Sequence, residues 1–575
     1  MKGVRGAGWF LAVLLIPACG PAQRSGGGTA LLQAPDPESS QPGYDLSGGA
    51  ASGPSSKGGD GGSFTVRSQG TVEVLHDPGP PPSISDPSSS ATPVTDLSGD
   101  LTVNGTALIS GSVTSVGTTG VRSLSVSGGD LVVFGTLQSG GLQGLALSAS
   151  GTLFVSGTLK TAGAGISLRA SRVVITGSAL VDGSSGAAGG TISIVASKEV
   201  VITGICRFRG GSAQNKGAGG DGGELRIDGS VPVRLFGVVD GRGGVGIESS
   251  GGRGGRVSIG TMDPVSSLAL EEARGACNGG RGDAVGGRGG THDLLSSWGG
   301  IRLDGTFVAE GGASTQAPGA GGIFKAECDL FGGDLQSGAT ILVSGGSAVT
   351  SAPSGAGGDG GRVDLLCEFD STRSTSGSGG SITLTSSSVI TAGGGDSTGS
   401  APAGKGGVVH LEIPEATISI SGVISARGGA ASGSGSGGQG GFLWFDSDSN
   451  DTATGGALTL EAGSVFDASG GDSASGPGGD ARWSPLAGVF NPTQIPIAIL
   501  LDADSVQGGP NPGGFIKNNG TVIARGGKSN GHGGDVEFHG LGTWDNFGTG
   551  ELNPVPGDVR NAGDGSGGNG VFTSD

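Results

Sequence analysis

The sequence predicts an all-β chain wound as a single elongated parallel β-helix, and three observations predict it. First, a cassette Φ-x-Φ-x-G-x-Φ-x-A-x-G-G, a polar glycine stretch and then G-G-x-Φ-x-Φ recurs after residue 177, which marks a repeat protein. Its fullest copy is ISISGVISARGG (418–429) followed by GQGGFLWFD, with weaker copies at GTFVAEGG near 305, GSVFDASGG near 463 and GTVIARGG near 520. Second, the apolar period inside each cassette is two, the period of a strand. Third, beyond residues 1–18 the chain has no apolar i, i+3, i+4 series of helix length, and 130 glycines in 575 residues oppose helix formation.

Aligning the copies on the first glycine of the closing pair gives Gly210, Gly243, Gly279, Gly311, Gly345, Gly394, Gly428, Gly470 and Gly526, in steps of 33, 36, 32, 34, 49, 34, 42 and 56. The longer steps gain their residues in Gly/Ser/Asn/Pro-rich stretches, where added chain adds little closure entropy. The glycine stretches are therefore expected to be loops at one corner of the winding, with insertions lengthening them. Before most closing pairs the fourth residue back is large and apolar (Ile341, Ile424, Phe307, Phe466, Val522) and the second is usually small (Ala309, Ala426, Ala468, Ala524). After the next glycine pair Ile192/Ile194, Leu225/Ile227, Val257/Ile259, Val363/Leu365, Val409/Leu411, Leu443/Phe445 and Val536/Phe538 share one face, and Arg362, Asp364, His410 and Glu537 are expected to face water. Stacked, such strands bury ladders of side chains. Roughly thirteen or fourteen coils at about 4.8 Å would give a rod roughly 65 Å long. Right-handed winding is favoured on fold-level frequency alone.

Residues 97–181 carry the pattern without glycine loops: LTVNGTALI, LVVFGTLQS, LFVSGTLKT and VVITGSALV align at Gly105, Gly135, Gly157 and Gly177, in steps of 30, 22 and 20. Steps this short approach the minimum for a coil with three corners. The expected organisation is a lipoprotein-type signal at 1–18, a Gly/Ser/Pro linker at 19–56, an outlying strand pair or cap at 57–75, a Pro-rich linker at 76–96, repeats at 97–540, and a cap and tail at 541–575 containing Trp544 and Phe547.

The signal assignment rests on Lys2 and Arg5, the apolar run from Trp9 to Ile16, which is too short to span a membrane, and the sequence Ile16-Pro17-Ala18-Cys19. This segment resembles the signal of bacterial lipoproteins, although Pro17 is less usual there. The resemblance implies cleavage before Cys19, lipidation of Cys19, and, with Gly20 following, the outer membrane. Secretion without lipid is the alternative.

The formal charge of −18 disfavours nucleic acid as a partner and is read as keeping a glycine-rich rod soluble, with weak divalent-cation binding left open. GAGGDGG at 217–223 and again at 355–361 is similar to calcium-binding nonapeptide repeats, but Glu224 and Arg362 stand where that pattern needs Asp, so these are expected to be turn glycines. Asp446, Asp448 and Asn450 begin like a calcium loop, but Asp451 and Ala457 break the pattern at its sixth and twelfth positions. Arg281-Gly282-Asp283 is attributed to chance. No cofactor or metal is expected.

Five His, one Tyr (Tyr44) and the absence of G-x-S-x-G, H-E-x-x-H or C-x-x-C motifs predict no catalytic residues. Glu537/His539 and Arg362/Asp364/Glu368 share faces only as period-two alternation requires. Cys206, Cys277, Cys328 and Cys367 are expected to be small buried residues. Cys328 and Cys367 stand at one offset from Gly322 and Gly361 and form a possible stacked pair, either bonded or as two thiols.

Over about residues 57–575 the chain resembles the glycine-rich β-solenoid lipoproteins and adhesin-like proteins of bacterial envelopes. The resemblance implies a lipid-anchored, non-catalytic rod at the outer membrane or cell surface, with the membrane, an envelope or extracellular polysaccharide, or another cell surface as partner. The rival is a polysaccharide-binding or polysaccharide-degrading protein, because pectate-lyase-like enzymes build a site on an outward face of the same fold. Such a site needs clustered carboxylates and aromatics, and the linear sequence displays no such cluster.

Overall fold

The computed structural model describes most of residues 97–539, with gaps in the longer connections, the largest being 246–255, 368–379, 482–496 and 504–514. Outside that range it describes short strands at Tyr44–Asp45, Ser63–Ser68, Thr92–Pro93, Leu552–Asn553 and Gly570–Thr573. Pro42–Asp575 forms one compact unit. Among the described residues there is no helix, and every pairing between named strands is parallel.

The strands follow three pairing series. One runs from Leu101–Asn104 to Asp535–His539, a second from Ala107–Ile109 to Phe515–Asn518, and a third from Ser112–Ser115 to Thr521–Ile523. Each strand pairs with its counterpart one repeat later, so like residues stack on like. This parallel, repeat-to-repeat pairing is consistent with a β-helix-like fold.

Burial follows the period of two. Val363/Leu365 and Val409/Leu411 of the first series, Ile382/Leu384 and Ile418/Ile420 of the second, and Phe307/Ala309 and Phe466/Ala468 of the third are all essentially inaccessible. The glycine-pair alignment also holds where it is described: Gly346 stacks on Gly312, Gly395 on Gly346, Gly429 on Gly395, Gly471 on Gly429 and Gly527 on Gly471.

The alignment of residues 97–181 requires one correction. Leu131–Val133 stacks on Ala107–Ile109, not on Leu101–Val103, and Gly135 stacks on Gly111 rather than Gly105. The true column is Gly111, Gly135, Gly157, Gly177, with a first step of 24. Gly105 belongs to another corner, where Gly129 lies against it. The motif Φ-x-Φ-x-G fits a strand of the first series as well as one of the second, so pattern alone could not separate them.

Candidate functional site

The glycine stretches are not open loops. In the repeats where both are described, an outgoing segment such as 426–431 runs beside an incoming one such as 437–441, and the two are hydrogen-bonded through their backbones. Gly438 N donates to Gly429 O and Gly441 N to Ala426 O, while Gly437 N donates to Pro477 O and Gly440 N to Asp480 O of the next repeat. Donors to one neighbour recur every three residues, the repeat of a polyproline-II-type strand, which has no internal hydrogen bonds.

A continuous zigzag joins these segments across repeats. Gly346 N donates to Gly319 O, Gly358 N to Gly346 O, Gly395 N to Gly358 O, Gly404 N to Gly395 O and Gly429 N to Gly404 O, each at 2.8–2.9 Å. The backbones lie so close that a Cβ on Gly404 would sit 1.8 Å from Gly358 O, and one on Gly438 would sit 1.8 Å from Gly404 O. None of these paired glycines has a positive φ. The GGDGG runs at 219–223 and 357–361 are therefore packed extended backbone and not turn glycines, and glycine is required there by close approach rather than by handedness.

One position in three faces outward and carries a side chain: Asp221, Arg288, Asp359 and Lys405 are exposed, and Gln439 and Asp480 half-buried. The outward-facing amides need acceptors, and aspartates one repeat earlier supply them. Lys405 N donates to Asp359 at 2.9 Å, Ala430 N to Asp396 at 2.7 Å, Lys528 N to Asp472 at 3.0 Å and His532 N to Asp480 at 2.9 Å. In the glycine-poor region Ser123 N donates to Asp100 at 3.0 Å and Thr152 N to Asp130 at 2.6 Å. Part of the acidic charge is thus structural, tying each repeat to the next. Burial would raise the carboxyl of Asp472, but the Lys528 amide and the charges of Arg427, Lys528 and Arg525 outweigh it and hold the group below the usual range.

The second feature lies on the outward face of the first strand series. Asp364, His410 and Trp444 are register neighbours, as are Leu366, Glu412 and Asp446 beside them. Asp364 and His410 do not face water as the alternation suggests: they are only 7% and 4% exposed. The His410 ring lies flat on the Trp444 indole, centroids 3.8 Å apart at 13°, and Arg362 Nε donates to both oxygens of Asp364 at 2.7 and 2.8 Å. His410 Nδ1 is 3.6 Å from Asp364 and Nε2 is 3.4 Å from Glu412, close polar contacts rather than well-formed hydrogen bonds. Burial would raise the carboxyl of Asp364, and the neighbouring His410 and Arg362 reverse this and hold it low. Lys325, paired with Glu327, extends the charged face one strand back. Sequence reasoning missed this cluster because Asp364, His410 and Trp444 stand in successive repeats, 46 and 34 residues apart, and meet only through register.

A third residue was also missed. His292 is fully buried between Phe307 and Phe324, with ring centroids at 5.9 and 5.6 Å, and burial pushes its pKa down to about 3, opposed by a contact from Val308 O. Its inward position in a period-two strand was the available signal.

Cys328 and Cys367 are buried register partners in adjacent strands, and Cys206 is buried in the third series. Cys19, Cys277, Arg281, Asp283, Glu368, Asp448, Asn450, Trp544 and Phe547 lie outside the described residues. Glu537 pairs with Leu500 and His539 with Asp502. No group of three or more His, Cys, Asp or Glu able to hold a metal occurs among the described residues. No family model, curated protein or solved structure matches the chain.

Proposed function

We propose that this chain is a cell-envelope structural or adhesin-like β-solenoid: a single elongated parallel β-helix, right-handed, anchored through lipid on Cys19 and without catalytic activity. The observation that carries this reading is the register itself. Three parallel strand series and a backbone-bonded glycine layer persist from repeat to repeat across steps of 20 to 56 residues. Every element repeats along one direction, which suits a rod that sets a distance or presents a long face. The layer's outward positions vary from repeat to repeat among Asp, Arg, Lys and Gln on an otherwise constant backbone, as a contact surface for an envelope polysaccharide or another cell would require.

Small-angle scattering on the soluble chain tests the shape. A rod-like cross-section supports the proposal, and a sphere-like profile ends it. Labelled fatty acid should enter the wild type and not Cys19→Ser, and equal labelling of both would remove the anchor from the reading.

A polysaccharide-binding or polysaccharide-degrading role is the second reading, favoured by half-buried Glu412 and Trp444 on the outward strand face beside the buried Asp364 and His410. A glycan array beside a screen for released reducing or unsaturated sugar ends separates the two. Turnover abolished by Glu412→Gln would replace the structural reading with the enzymatic one.

A further inference from the structure

Cys328 and Cys367 are the one pair of cysteines that register brings side by side among the described residues. Their strands, Ile323–Cys328 and Arg362–Cys367, pair in parallel over six consecutive residues that end on the two cysteines. Both side chains occupy the inward face, beyond Ala326 and Leu365, and both are completely buried. In-register neighbours in a parallel sheet have Cα atoms about 4.8 Å apart, inside the range of about 4.4–6.8 Å that a disulfide spans. The flanking column contains Ser296 on one side and Ile413 on the other, so no third thiol competes within it.

We propose that Cys328 and Cys367 are the site of a repeat-to-repeat disulfide, formed while the chain folds in an oxidising compartment and then sealed in the core. The inference rests on the export reading for its oxidant, a disulfide-exchange protein or a low-molecular-weight disulfide. One cysteine thiolate attacks the donor disulfide to give a mixed disulfide. The second thiolate displaces the donor thiol, so that the two cysteines lose two protons and two electrons and the donor leaves reduced. Timing follows from burial. In the closed fold the Cys328 thiol is pushed well above its ordinary range, first by burial and then by its contact with Cys367, and a protonated, inaccessible thiol does not exchange. The bond must therefore close before the next repeats cover the pair. Parallel side-chain vectors hold the Cβ atoms wider apart than the usual disulfide mean of about 3.8 Å, so closure draws the two strands locally together.

The test uses the full chain, refolded from urea in either reduced or oxidised glutathione, then denatured, alkylated and mapped by mass spectrometry. The expected result in oxidised buffer is loss of two of the five thiols, one cross-linked peptide joining Cys328 to Cys367, and resistance to dithiothreitol until urea is added. Wild type and the Cys206→Ser variant should give the same cross-link, and Cys328→Ser should give none. Five free thiols after oxidative refolding, or cross-links spread over Cys206 and Cys277, would overturn the proposal. A parallel arm traps thiols in acid-quenched cells that produce the chain. A bond that forms with glutathione but is missing in cells refutes the oxidising compartment and leaves the geometry standing, so the two failures are distinguishable.

Discussion

Residues 97–182 and residues 183–534 use the same three strand series but close them differently. In the first region the third series returns to the first through a short turn: Ala162 ends one strand, Gly163 takes a φ of +79° and Ile166 begins the next. In the second region the same connection opens into two antiparallel glycine segments zipped together through their amides. The first region is held by side chains packing inside. The second adds a layer packed mainly from backbone, where most amides bond to a neighbouring carbonyl or to an aspartate of the preceding repeat. Chain length gained at a corner therefore need not be loose, provided that glycine stands wherever the backbones meet and the three-residue hydrogen-bond period is kept.

The sharpest test exchanges glycine for alanine in each region. Gly438→Ala places a methyl against Gly404 O, whereas Gly111→Ala meets open space at an ordinary φ. The first should lose more than about 3 kcal/mol and the second stay within about 0.5 kcal/mol, read by urea unfolding. Equal losses would refute the close backbone approach at Gly438; Gly111 serves as the open control because it heads its column, whereas Gly135 and Gly157 further along that column also lie against backbone. Hydrogen exchange sharpens the test, since the amides of Gly404, Gly429 and Gly438 should be as protected as those of Val409 and Leu411. Rapid exchange at the glycines would return them to the status of loops.

Next in size, Leu411→Asp and His410→Asp should both be damaging, by about 3–5 kcal/mol. The first puts a charge in the core; the second removes the Trp444 stack and sets a third carboxylate between Asp364 and Glu412. A stable His410→Asp variant would show that the outward face of this strand is wet, as alternation alone suggests.

His292 makes stability depend on pH. Its folded pKa is depressed to about 3, so below about 6.5, the ordinary histidine value, the unfolded chain takes up a proton that the folded chain refuses. Stability should fall by up to roughly 1.4 kcal/mol per pH unit between these limits. Asp472 acts in the same direction at lower pH: its folded pKa is depressed, so its contribution is present above the unfolded carboxyl range and lost as pH falls through the folded value. His292→Leu should flatten the slope between pH 6.5 and 4.5, and an unchanged slope would assign it to other groups.

The smallest effect concerns the aspartate ties. Asp396→Ala should cost about 1 kcal/mol by freeing the Ala430 amide to water, and Asp396→Asn should cost less because an amide oxygen still accepts. By contrast Arg226→Ala, which breaks an exposed pair with Asp228, should change stability by less than about 0.5 kcal/mol. If Asp396→Ala is equally silent, the acidic residues of the glycine layer serve solubility alone.

The alternation of apolar residues with polar ones determined the strands, and the spacing of glycine pairs determined the repeat, since both are periodicities that a chain carries in one dimension. The register of the glycine pairs was legible for the same reason: Gly345 and Gly394 fall in one column despite a step of 49 residues. Tertiary structure decided what those glycines do. Whether a G-G-x-G-G run is a turn or a packed layer depends on which backbones lie a few ångströms away, and glycine has no side chain whose polarity would report it. The same holds for His410. Alternation assigns it an outward face, but only stacking places Trp444 on one side and Asp364 on the other, and those two neighbours, contributed by different repeats, are what take it out of water.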